Sequence, residues 1–76
     1  MAPRNRDEHG LTPREAEALE WLGRGLEAKE IAVKMGISEN TVKNHLYLAY
    51  RALGVETAAE AFIVKGWLVV PGEVAP

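Results

Sequence analysis

Apolar residues recur along most of this chain at the three- and four-residue spacing of helices buried on one face. Leu11, Ala18, Leu19 and Leu22 share one side of a first segment. Ile31, Ala32 and Met35 do the same in a second, and Val42, Leu46, Ala49 and Leu53 form a stripe along a third. Val55, Ala59, Phe62 and Ile63 supply the expected core face of the last. The polar positions act as punctuation. Of four Ser and Thr residues, three (Thr12, Ser38 and Thr57) stand just before these segments. There a side-chain oxygen can accept from the unpaired N–H groups of a first helical turn. Thr12 is followed by Pro13 and Glu15, and Thr57 by Glu60, the spacing of two capping boxes. Gly25, Gly36, Gly54 and Gly66 fall where the helices should stop. The pattern predicts helices over about 13–24, 28–35, 39–53 and 58–65, with no strand pair. Connections of a few residues suit a compact all-α domain.

The ends break the pattern. "MAPRNRDEHG" is polar and aperiodic, so residues 1–10 are expected to form a flexible arm. "PGEVAP", residues 71–76, reads as a tail, which leaves 11–70 as the domain. A chain of 76 residues allows one domain. At that size only roughly 60% of the unfolded surface is buried, so good packing or a partner is needed.

Composition removes several classes of function. There is no cysteine, hence no disulfide framework or thiolate metal site, and His9 and His45 are too few for a zinc site. No cofactor is expected. No nucleophile, acid and base stand in a plausible cluster, so the chain does not read as an enzyme. No apolar run is long enough to span a membrane and the polar N-terminus is no secretion signal, so a cytoplasmic protein is expected. The net charge of −2 argues against a nonspecific nucleic-acid coater but not against a specific DNA binder, because local charge governs phosphate contacts. That charge is uneven. "PREAEALE" has three glutamates and one arginine, whereas Lys34 to Arg51 contains three bases and one acid.

The second and third helices are joined by "KMGIS", a turn with glycine, an apolar plug at Ile37 and a cap at Ser38. This is the pattern of a helix-turn-helix, whose second helix enters the major groove. The elements "LTPRE", "KEIA", "GIS", "TVKNH", "LGV" and "AEA" follow one another in a spacing that resembles the LuxR-type, or GerE-like, DNA-binding domain over about residues 10–68. The resemblance implies a four-helix domain in a bacterial or phage-encoded regulator. It places the third helix in the major groove, and the fourth pairs two copies into a homodimer. With no room for a sensor domain, the chain resembles the stand-alone members. It departs from the pattern at Glu27, where a better cap is usual, and at Ala52, where a lysine is usual. "LYLAYRAL" is also similar to the fourth region of extracytoplasmic-function sigma factors, although "LGVETAAEAF" supports the LuxR reading.

The core stripe leaves one face of the third helix for a partner. Lys43 can meet a phosphate or a guanine edge, and Asn44 can pair with adenine; both also suit a solvated surface. Asn40 and Thr41, near the helix start, can hold a phosphate, or Thr41 can act only locally. Tyr47 can read a base together with Lys43 and Asn44, meet a sugar or phosphate, or close over the core. Arg51 is a phosphate contact or a solvent-facing arginine. Arg4 and Arg6 can reach a minor groove or nearby phosphates, or belong to a disordered tail; Lys29 and Lys34 on the second helix can touch the backbone or have no role beyond the surface. For the last helix the resemblance implies dimer contacts at Ala61, Val64 and Trp67; the alternative is that Trp67, Leu68, Val69 and Val70 fold back as core. Double-stranded DNA is the expected partner. The competing reading is a protein-interaction module that binds RNA polymerase, a sigma factor or another regulator.

Overall fold

The computed structural model describes residues 6–68, which form four helices: α1 (Pro13–Gly23), α2 (Ala28–Met35), α3 (Glu39–Leu53) and α4 (Ala58–Val64). Among the described residues there is no strand, and the fold is all-α. Arg4, Val69, Val70 and the tail 71–76 lie outside the described residues.

Each start follows from a polar side chain. Thr12, Ser38 and Thr57 are the N-caps of α1, α3 and α4, and their oxygens accept from the N–H groups of Glu15, Thr41 and Glu60. Glu15 and Glu60 reach back to the N–H groups of Thr12 and Thr57, completing both boxes. At α2 the Glu27 N–H donates 2.8 Å to the Glu30 carboxylate, which compensates in part for the missing hydroxyl cap.

The ends share one construction. After α2, Gly36 donates to Val33 and Ile37 to Ala32; after α3, Gly54 donates to Arg51 and Val55 to Tyr50. Leu26 and Trp67 repeat this after Gly25 and Gly66, donating to Trp21 and Phe62. In each case a glycine turns the chain and the next, apolar residue folds back toward the core, the Schellman arrangement. At Gly36 the backbone has φ 68° and ψ 35°, a left-handed conformation costly for residues with a Cβ.

α3 is the central element, packed against α1, α2 and α4. Leu11, Leu19, Ile31 and Val42 are fully buried in the core, each contributing roughly 1.5–3 kcal/mol. Ala18, Ala32, Met35, Leu46 and Ala49 complete the centre, with Leu22 and Leu53 half-buried at its margin.

The last helix is rotated from the expected phase. Ala61 is fully buried, while Ala59 and Ile63 are exposed. The inward face runs through Ala58, Ala61, Phe62 and Lys65. Nearly every residue of "AAEAFIV" is apolar, so its periodicity carries little information about which side faces in.

Residues 6–10, expected within the flexible arm, form a turn laid on the domain. Asp7 accepts from the N–H groups of His9 and Leu11 and lies 3.9 Å from Lys65 at the end of α4. Arg6 donates to the Gly10 carbonyl and lies 3.8 Å from the buried Glu15. Arg6 is therefore engaged with its own chain instead of extending toward a partner.

Candidate nucleic-acid interface

α2 and α3 form a helix-turn-helix held from outside by α1. Arg14 donates 3.0 Å to the Met35 carbonyl, placing positive charge at the C-terminus of α2, where unpaired carbonyls favour it. Its role was not evident in the sequence, where it reads as one more surface charge in an acidic helix. Trp21 is flanked by Arg24 at 5.1 Å and Lys34 at 5.4 Å from its ring centre. Lys34 thus lies over the α1 junction. Lys29 is exposed on α2.

Val42, Leu46 and Ala49 of α3 are buried as their spacing predicts, and this fixes the direction of everything else on the helix. At about 100° per residue, Lys43, Tyr47, Asn40, Arg51 and Asn44 span an arc of roughly 100° on the opposite side. All five are exposed. α3 is 15 residues long, about 22 Å, so this face can run through a major groove and onto its flanking phosphates.

The side chains on this face are organised in pairs. Lys43 lies 3.6 Å from Glu39 one turn earlier, an exposed pair of about 0.3–0.5 kcal/mol that yields readily to a stronger anion. Arg51 donates 3.1 Å to the Tyr47 hydroxyl, and its guanidinium lies 5.8 Å from the centre of the Tyr47 ring. That hydrogen bond raises the pKa of Arg51 above its ordinary value. With 54% of its surface exposed, Tyr47 does not close over the core. That position belongs to the half-buried Tyr50, whose pKa burial raises.

Thr41 differs from its neighbours. Its hydroxyl lies 2.8 Å from that of Ser38, whose oxygen also accepts the Thr41 N–H. The half-buried Thr41 is thus part of the cap of α3 and does not stand out on the exposed face. His45 is also half-buried, and its Nδ1 has no hydrogen-bond partner among the described residues.

The other expected contact surface divides in two. Ala61 has 0% exposure, because the rotation of α4 turns it onto the core, and it offers no surface to a second copy. Val64 and Trp67 are exposed beside Ile63 and Leu68. Trp67 is also anchored within its own chain. Its ring lies 5.8 Å from that of Phe62, and a Cβ on Gly23 would stand 3.1 Å from it. It retains 43% exposure. The recurring glycine-apolar pair, present at Gly25, Gly36, Gly54 and Gly66, was the sequence signal for this fold-back.

No described helix is long and apolar enough to cross a membrane. Residues 9–64 match the family described as bacterial regulatory proteins, luxR family, or GerE. The probable HTH-type transcriptional regulator GfsR of Streptomyces halstedii is 42% identical over 62 residues, which are 82% of this chain and 25% of that protein. The spore germination protein GerE of Bacillus subtilis is 43% identical over 53 residues, 70% of this chain and 72% of that protein. The quorum sensing-dependent regulator RpaR of Rhodopseudomonas palustris is 51% identical over 53 residues, 67% of this chain and 22% of that protein. The chain spans no more than a third of the length of several of the curated relatives it matches. A match over most of the chain, on a helix-turn-helix with an open polar face, makes this protein a member of the luxR family of bacterial regulatory proteins.

Proposed function

We propose that this domain regulates transcription by laying α3 in the major groove of double-stranded DNA, with two copies on a roughly palindromic site. The carrying observation is the outward arc of Lys43, Asn44, Asn40, Tyr47 and Arg51 on a helix whose opposite face is fixed in the core. Lys43 and Asn44 sit toward the N-terminal half of α3, the part that meets base edges in helix-turn-helix proteins. Arg51, two turns beyond Lys43, suits a flanking phosphate. Relatives named as transcriptional regulators support the same reading. The exposed strip of Ile63, Val64, Trp67 and Leu68 supports a homodimer through α4, with Val64 and Trp67 as contacts.

The test is retention of a bacterial genomic fragment pool by the purified chain at moderate salt, against a random duplex. Enrichment of fragments sharing an inverted repeat with half-sites about one helical turn apart is the expected result. Equal retention of both pools at every salt concentration would refute sequence-specific binding. One feature favours a protein partner: Val33, on the outer face of α2, has 80% exposure. If neither DNA is retained while a component of RNA polymerase is captured, the chain is an interaction module instead.

A further inference from the structure

Tyr47 and Arg51 make two contacts with each other in full view of solvent. The direction of the hydrogen bond is informative. Arg51 donates through Nη1, so the Tyr47 oxygen accepts and its own O–H remains available to a third group. A guanidinium has five N–H donors, and most of these also remain. A hydroxyl that accepts from a cation is polarised and becomes a stronger donor to an anion. The guanidinium, at the end of a normally mobile side chain, already has a hydrogen-bond partner in the Tyr47 hydroxyl, so less freedom is lost when a ligand arrives.

The surroundings define which ligand. Beside the pair is a pocket of about 270 Å³ lined by Tyr47, Tyr50, Arg51, Val55 and Glu56. The carboxylate of Glu56 makes the pocket itself unsuited to an anion. Tyr47 and Arg51 also both belong to the exposed arc of α3, where a group outside the pocket can meet their remaining donors. The ligand is an anion with several acceptor oxygens, and on DNA that is a backbone phosphate.

We propose that Tyr47 and Arg51 act as one preassembled phosphate clamp, in which Tyr47 positions Arg51 and both donate to the same phosphate. Tyr47 is then a positioning residue for backbone contact and does not read a base. This rests on the DNA-binding reading above and assigns a role within it.

The experiment compares wild type, Tyr47→Phe, Arg51→Ala and the double variant by titration with two duplexes, one selected genomic fragment and one random, across a salt series. Each single change is expected to weaken binding about tenfold, the size of one charge-assisted hydrogen bond. The double variant should be within about twofold of the weaker single one, because either loss disables the clamp. Losses should be equal on both duplexes. Arg51→Ala should lower the salt slope by about 0.9, but should lower it little further in the Tyr47→Phe background. Multiplying losses, to about a hundredfold in the double variant, overturn the clamp. So does a Tyr47→Phe loss confined to the selected duplex, which makes Tyr47 a base reader. In both cases wild type still binds, and the DNA reading stands. If wild type holds neither duplex at low salt, the DNA reading fails and the clamp with it. Melting curves accompany each variant, and Arg51→Gln replaces Arg51→Ala if the latter shifts the melt.

Discussion

Replacing Gly36 by alanine isolates the backbone of the turn that aims α3. A Cβ built at this position meets nothing within 4 Å, so crowding contributes no cost. What remains is the left-handed conformation, with φ 68° and ψ 35°. For a residue with a Cβ this costs about 1–2 kcal/mol. Alanine also restricts the unfolded chain, returning about 0.4–1 kcal/mol. The net expected loss is about 1 kcal/mol, which in a domain this small lowers Tm by about 4–8 °C. Gly36→Asn places a Cβ in the same open space but tolerates the left-handed region better, and should lose less than half as much. The assay is far-UV circular dichroism on heating wild type, Gly36→Ala and Gly36→Asn. DNA titration at 10 °C, where all three are folded, should show little change. If alanine melts with wild type, the left-handed turn is not what ends α2. If asparagine falls as far as alanine, the cost has another origin.

Four further outcomes follow from the same geometry. Ile31→Ala empties a fully buried site and should cost about 2–5 kcal/mol, a large part of the roughly 4–11 kcal/mol available to a chain of this length, as denaturant unfolding would measure. Ser38→Ala removes the acceptor of the Thr41 N–H and should cost about 1 kcal/mol, whereas a cost under a few tenths would show that the cap is not used. Lys43→Ala should weaken DNA binding and reduce the salt slope by about 0.9, and an unchanged slope rules out a phosphate contact. Acid titration should show a contribution from Asp7. Burial alone would raise its pKa, but the N–H groups of Leu11 and His9 and the charge of Lys65 outweigh it, leaving the value below 3.8. Its stabilisation is therefore complete above the ordinary aspartate range and lost as pH falls through the lower folded value, so Asp7→Asn should flatten that part of the acid unfolding curve.

Much of the fold was legible because it is encoded by local rules. A hydroxyl before a helix, a glutamate three residues later and a glycine after it act within one turn of chain. The predicted helices consequently match α1 to α4 to within a residue at each end. The α3 stripe was equally legible, since Val42, Leu46 and Ala49 recur at helical spacing and the first two stand between polar residues. That stripe also fixed the outward direction of Lys43, Asn44, Tyr47 and Arg51. Thr41 was harder: its type and position suit either a cap or a phosphate, and only the 2.8 Å approach to Ser38 shows the hydroxyl in the cap.

By itself, then, the order of residues determined four helices, three of them capped by a hydroxyl, the helix-turn-helix and the polar face of α3, because those depend on contacts within a few residues. The tertiary structure decided the rest. It turned Ala61 inward and Ala59 outward, since a helix apolar on all sides takes its phase from what it packs against. It laid Trp67 on Gly23, which is possible because glycine has no Cβ there to meet the ring. It also brought Arg14 to the Met35 carbonyl, 21 positions along the chain, a contact that exists only once α1 lies across α2. Periodicity specifies which residues share a helical face. Only the neighbouring helix specifies whether that face is buried, shared with a partner or left open.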